Sequence, residues 1–190
     1  MSNDVHVLNL SSYEAPEIIE DGRQEWVTFG EDDSFFSFLI DRYKGSTTNA
    51  SIINNTAKLI YGRGLSSTDA SRRPNDYASM KGLLSKKTVK NLATDLKMLG
   101  NCAVQVIYTK DRKKIAEIHH VPVQLLRPEK CNSKGDIEAY YFSNDWTDTK
   151  KFVPKRIPAF GHSKNAPIEI YYIKPYSVNM KYFALPDYYA

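Results

Sequence analysis

Cysteine is nearly absent from this chain: Cys102 and Cys131 are the only two in 190 residues. Two thiols cannot build a disulfide framework, and neither has a second cysteine or a histidine at finger spacing, so small folds stapled by disulfides or zinc are excluded. Cys102 opens a β-like run and Cys131 lies in a polar turn. Free thiols in a reducing compartment are the expectation. Long apolar runs are missing too, since no stretch of about 18 apolar residues occurs that would span a bilayer. The segment Met1–Asp21 is polar and acidic, without the basic and apolar halves of a signal peptide. The chain is expected to be soluble and to stay out of membranes and the secretory pathway.

The signatures of catalysis are lacking as well. No Walker-type loop, nucleophile elbow or metalloprotease motif is present. Gly62-Arg63-Gly64 has the glycines of a phosphate-cradling turn, but it follows a helical pattern, and anions bind at helix N-termini. A glycine C-cap is the better reading. His119-His120 sits in an alternating run, which points the two rings to opposite faces and prevents both from ligating one metal. The carboxylates crowd into one exposed acidic stretch, where paired acids reflect solvation rather than acid-base work. No catalytic residue, metal site or cofactor is expected, and a hydrolase centred on His119 or His120 is the weakest of the functional readings.

What is present suits a folded chain with a real core. With 42% hydrophobic and 25% charged residues, 190 residues make one or two small domains. The net charge of +4 hides a strong split. From Met1 to Asp41 the acids Asp4, Glu14, Glu17, Glu20, Asp21, Glu25, Glu31, Asp32, Asp33 and Asp41 face Arg23 alone. From Lys81 to Lys114 the bases Lys81, Lys86, Lys87, Lys90, Lys97, Lys110, Arg112, Lys113 and Lys114 face only Asp95 and Asp111. Such a split suits head-to-tail contact between copies, a nucleic-acid surface, or two unrelated solvated faces. The candidate residues for subunit or DNA contact are Lys86, Lys87, Lys90, Lys97, Arg112, Lys113 and Lys114.

The hydrophobic periods change along the chain. Residues 1–30 hold short apolar clusters, Val5–Leu10, Ile18-Ile19 and Trp26–Phe29, between polar turns, and predict an extended acidic arm with one or two short strands. Asp32 or Asp33 is the expected N-cap of a helix through Phe35, Phe36, Phe38, Leu39, Ile40 and Tyr43, ending at Gly45. Its apolar girth predicts burial or packing between subunits. Thr48 or Asn49 should cap a second, amphipathic helix carrying Ile52, Ile53, Thr56, Leu59 and Ile60, closed by Gly62. After a polar loop over Ser66–Asn75, a long helix is predicted from Asn75 or Asp76 to Leu99, with Gly100 as its cap.

Beyond Gly100 the pattern alternates. Ala103–Tyr108 and Ile115–Val121 read as a hairpin with a charged turn; Gln124–Arg127, Ile137–Phe142, Arg156–Phe160, Ile168–Ile173 and Met180–Phe183 read as further strands. Tyr140-Tyr141, Tyr171-Tyr172 and Tyr188-Tyr189 should each split, one ring into the core and one toward an interface. The predicted fold class is α+β, with helices at about 32–100 and a mostly antiparallel β-rich part at 101–190.

A specific similarity covers nearly the whole chain, from about Leu8 to Tyr189. Leu99-Gly100-Asn101-Cys102-Ala103, the run to Tyr108, the charged turn Lys110-Asp111-Arg112-Lys113-Lys114, Ile115–Val121, Pro122, Leu125-Leu126-Arg127 and Gly135–Phe142 follow an order that resembles the N-terminal region of tailed-phage portal proteins. Upstream, Gly30–Phe36, Leu39-Ile40-Asp41, Asn49–Asn54 and Ile60–Gly64 resemble the version found in phages of Bacteroidetes-type hosts. The resemblance implies a portal wing-like α+β domain at residues 31–190 behind the acidic arm at 1–30. It implies a non-catalytic structural component of a ring of about twelve copies at one capsid vertex, a conduit and docking platform for DNA packaging and ejection. The partners it implies are further copies of the chain, a separate terminase, capsid and head-tail connector proteins, and double-stranded DNA passing through the full channel. The expected location is the virion, assembled in the host bacterial cytoplasm. The aromatic stretch at the C-terminus, where that family continues, predicts a chain truncated before the stem and clip. A stand-alone, non-specific nucleic-acid-binding module is the alternative.

Overall fold

The computed structural model describes residues 16–189; the Val5–Leu10 cluster and the acids Asp4 and Glu14 lie outside them. Two short strands, β1 (Ile18–Ile19) and β2 (Thr28–Phe29), pair antiparallel and lead into a single turn of 3-10 helix at Glu31–Asp33. Helix α1 (Phe35–Gly45) follows, capped by Ser34 and not by Asp32 or Asp33 as expected. The Asp33 carboxylate is engaged elsewhere: it accepts from the Phe29 N–H at 3.1 Å and from Arg127 Nε at 2.7 Å. Only one flank of α1 is buried, through Phe35, Phe36 and Leu39.

Helix α2 (Thr47–Tyr61) is capped by Ser46, whose hydroxyl accepts from the Asn49 N–H at 3.2 Å, rather than by Thr48 or Asn49. Gly62 ends it, at φ 51°. The single long helix expected up to Leu99 is two: α3 (Pro74–Leu83) and α4 (Lys86–Leu99). The break is chemical. Pro74 at the first turn starts α3, and Ser85 turns extended so that its hydroxyl accepts from the Thr88 N–H at 3.1 Å, a fresh N-cap inside the continuous apolar pattern. None of the α3 residues is buried.

The β part forms two three-stranded antiparallel sheets. β3 (Cys102–Tyr108) lies between β4 (Ile115–Val121) and β8 (Ile168–Ile173), and β6 (Ala139–Phe142) lies between β5 (Leu126–Pro128) and β7 (Lys155–Pro158). The α+β class is thus as expected, but the strands divide among three small sheets. The segment Gln124–Arg127 is half 3-10 turn (Val123–Leu125) before β5 begins. Met180–Phe183 is not a strand; it is a turn and irregular chain that buries Tyr182, Phe183 and Ala184 without a sheet partner. Among the described residues no helix is long and apolar enough to cross a membrane.

Two apolar clusters hold these parts together. In the first, Val27, Phe29, Phe35, Phe36, Leu39, Leu99, Val123, Tyr182 and Phe183 bring the N-terminal strands, α1, α4 and the C-terminal segment into one core. Phe29 and Phe183 stack face to face at 4.4 Å, and Phe36 meets both edge-on. Each such pair contributes about 0.5–1.5 kcal/mol beyond area burial. In the second, Ala103, Val121, Leu126, Tyr140, Ala159 and Ile170 join the two larger sheets. Two of the tyrosine pairs split as alternation requires, whereas Tyr188-Tyr189 lies outside any strand and neither ring is buried. Tyr140 is buried and stacks on Tyr172 at 5.0 Å, while Tyr171 is about half exposed.

The corner between α4 and β3 fixes the C-terminal segment. Gly100 takes a left-handed φ of 70°, its N–H closing α4 onto the Leu96 carbonyl, and a β-carbon there would stand 2.6 Å from the backbone of Leu185 and Pro186. Asn101, fully buried, donates to the Leu99 and Ala184 carbonyls at 2.7 and 2.8 Å and accepts from the Ala184 N–H at 2.9 Å. Gly100→Val combines left-handed strain with backbone overlap, and a loss of about 2–4 kcal/mol is expected. Thermal unfolding followed by circular dichroism checks it; an unchanged midpoint contradicts the tight corner.

Candidate interaction surface

The hairpin tip is built by its own polar residues. Thr109 N–H donates to the Lys114 carbonyl at 2.9 Å and the Arg112 N–H to the Thr109 carbonyl at 2.9 Å. The Asp111 carboxylate accepts from the Thr109 hydroxyl at 2.5 Å and the Lys113 N–H at 3.2 Å, and those bonds hold its carboxyl below the usual carboxylate range. Arg112 adopts a left-handed φ of 59°. The turn is therefore tied from inside, and Lys110, Arg112, Lys113 and Lys114 are all exposed. At its base the Tyr108 hydroxyl donates to buried Glu169 at 2.8 Å; burial first, then Glu169, pushes that phenol up to about 12. Glu169 also accepts from the Gly161 and Ser163 N–H groups, so the hairpin root and the loop before β8 share one buried carboxylate.

The lysines of α4 separate into three kinds. Lys86 and Lys87 are exposed in the first turn, at the positive end of the helix dipole, where a cation costs stability. Lys90 lies over the Tyr61 ring at 5.1 Å. Lys97 is turned to the C-terminal segment, 2.5 Å from Asp187 and over the Tyr188 ring. Within the set singled out from sequence, Lys86, Lys87, Arg112, Lys113 and Lys114 make no ion pair or ring contact among the described residues.

The acidic side changes more. Asp33 is folded inward onto Arg127, a buried guanidinium that also donates to the Gln124 and Leu126 carbonyls and lies over Trp146 at 4.9 Å. Burial pushes the Asp33 carboxyl up, and Arg127 pulls against it without overcoming it. Sequence periodicity carried no signal for this pair, because its partners are 94 residues apart. Glu17, Glu20, Asp21, Glu25, Glu31, Asp32 and Asp41 stay exposed. Two of them, Glu17 and Glu31, line a groove of about 910 Å³ together with Ile19, Phe35, Phe38 and Tyr189 among others. A second apolar surface lies on α2, where only Ile53 and Ala57 of the amphipathic stripe are buried and Ile52 and Leu59 are 58% and 80% exposed.

The histidine pair points to opposite faces. His119 is exposed beside Glu117, whereas His120 faces α4 and bonds Asp95 at 2.7 Å, with the Asn91 amide at 3.5 Å from its other nitrogen. Asp95 lies near Cys102, and burial first, then that charge, pushes the thiol up to about 12. Among the described residues no group of three or more His, Cys, Asp or Glu side chains is placed to hold a metal ion. Both cysteines are free. Because alkylation needs thiolate, iodoacetamide at mildly alkaline pH is expected to label half-buried Cys131 and leave Cys102 untouched until denaturant is added; equal labelling in the native chain, read by mass spectrometry, contradicts that burial.

No protein-family model and no curated protein matches the sequence. The fold is similar to that of a chain in a solved structure described as the neck of an empty GTA particle computed with C6 symmetry, at a TM-score of 0.61 and 15% identity. The match covers 80% of this chain and 40% of that one, so this chain spans about two fifths of its neighbour's length. At that identity the likeness is one of fold.

The dispersed cations bear on DNA. The five loose charges of the set singled out from sequence, together with Lys110 of the tip, give a log-log salt slope no steeper than about −5.4, at roughly −0.9 per phosphate neutralised. Duplex binding no tighter than about 10 µM at physiological salt is expected, within the non-specific range. Lys97→Ala should leave both numbers unchanged, since Asp187 already holds that charge. Fluorescence titration at several salt concentrations measures them, and tight binding lost in Lys97→Ala would contradict the assignment.

Proposed function

We propose that this chain is a structural, non-catalytic subunit of a ring at the neck or portal vertex of a phage-like particle, and that it corresponds to the wing-like part of a portal-type protein. The observation that carries the proposal is the fold shared over 80% of the chain with a component of a GTA particle neck. The order of motifs supports the finer portal reading: a capped helix, a Gly-Asn corner, a charged hairpin and a strand leading to Pro122. A six-fold axis of the kind used for that neck is compatible with rings of six or of about twelve copies.

In this reading the chain moves nothing itself. It is a rigid ring segment: the two cores hold the helical and β parts together, and the hairpin and acidic groove are presented to neighbours. Energy for DNA movement comes from a separate terminase, and double-stranded DNA meets segments other than this one. The test is location. Immunogold labelling of purified particles from the producing cells is expected to mark a single vertex, with the chain recovered from those particles by mass spectrometry. Label spread over the whole shell, or a chain absent from the particles, overturns the proposal.

A further inference from the structure

Resting on that ring reading, we propose that the basic hairpin tip of one copy, Lys110–Lys114, docks in the acidic groove of the next copy, between Glu17 and Glu31. Among the described residues neither patch is closed by an ion pair, although Lys114 faces Asp111 within the tip and Arg42 lies on the Phe38 wall of the groove. Lys110, Arg112, Lys113 and Lys114 make no ion pair among the described residues, and neither do Glu17, Glu31 or Asp32. Three other charged pairs close within the chain, Asp187 with Lys97, Asp33 with Arg127 and Glu129 with Arg156, and none involves either patch.

Geometry makes the contact intermolecular. Tyr189 lines the groove, three residues after Pro186, whose backbone packs on Gly100 at the start of β3. The tip begins after Tyr108, at the other end of the same strand. Seven residues of strand at about 3.3 Å each put the tip about 20 Å from the Gly100 corner, and a hairpin tied by β3–β4 pairing and its internal turn bonds cannot fold back along that strand. Complementary patches on separate parts of one rigid body permit a head-to-tail contact of the heterologous kind, which propagates around a ring. The groove also fits a basic occupant in shape. Its aromatic wall includes Phe38, which already carries a guanidinium, Arg42 at 5.0 Å from the ring centre, and apolar walls cover the stems of long cationic side chains.

Charge reversal tests the contact. A tip variant carries Lys110→Glu, Lys113→Glu and Lys114→Glu; a groove variant carries Glu17→Lys and Glu31→Lys. Arg112 and Asp32 stay unchanged, because both hold left-handed backbone. All positions are exposed, and melting curves confirm that each variant folds. Sedimentation equilibrium of the chain at about 50 mM salt is expected to show self-association that weakens at about 500 mM. Each variant alone should associate at least about tenfold more weakly, and an equal mixture of the two should recover wild-type association. Loss without recovery in the mixture overturns the contact, as does wild-type association that neither variant disturbs; in that second case the ring reading stands on another surface. A wild-type chain that is monomeric at every salt also overturns the contact, while particle labelling judges the ring reading separately. Tip reversal that lowers duplex DNA affinity but not self-association assigns the tip to nucleic acid instead.

Discussion

The side chain of Asn101 holds the C-terminal segment to the end of α4. Its amide imitates a peptide group: it donates to two carbonyls, Leu99 and Ala184, and accepts from the Ala184 N–H. Leaving those groups unsatisfied inside the core would cost about 1–3 kcal/mol each. Gly100 next to it supplies the left-handed corner and the missing β-carbon that let Leu185 and Pro186 approach. Because Phe183 is carried in by this clasp, the aromatic core with Phe29 and Phe36 depends on it, and so do the placement of α1 and the floor of the acidic groove.

A second set of contacts isolates the charged surface from this core. The Arg127–Asp33 pair neutralises one acid in the interior and fixes the turn before α1, with the guanidinium sandwiched among Trp146, Phe36 and backbone carbonyls. Removing one partner of such a pair leaves a buried charge and typically costs about 3–5 kcal/mol. A hydrogen bond between His120 and Asp95 ties β4, in the other three-stranded sheet, to α4. Those polar groups are committed to structure, whereas Glu17 and Glu31 of the groove and Lys110, Lys113 and Lys114 of the hairpin make no ion pair among the described residues.

In the ring reading proposed above, these features share one purpose. A ring subunit needs rigidity between its two contact surfaces more than it needs a pocket. Here β3 and α4 supply it, joined at one corner and carrying the basic tip at one end and the groove at the other. The exposed face of α2, with Ile52 and Leu59, adds apolar area of the kind that marks contact between proteins.

Local rules in the sequence determined the elements whose signals are local. The amphipathic period and Gly62 set the end of α2, Gly100 set the end of α4, and alternation set β3, β4 and β8 to within a residue or two. The charge split and the exposed hairpin tip were legible for the same reason, since a turn rich in Lys and Asp has no apolar face to bury. Tertiary structure alone decided the rest. Ser85 broke a continuous apolar stripe because a hydroxyl N-cap competed successfully with helix propagation. Met180–Phe183, apolar enough for a strand, stayed irregular because the aromatic core takes its rings and Asn101 holds the backbone of the next residue, Ala184. Asp33 became an interior partner, and Lys97 a clasp for Asp187, because residues 94 and 90 positions away arrived beside them. Interactions over such separations leave no periodic trace in the chain; they exist only once folding has brought the partners together.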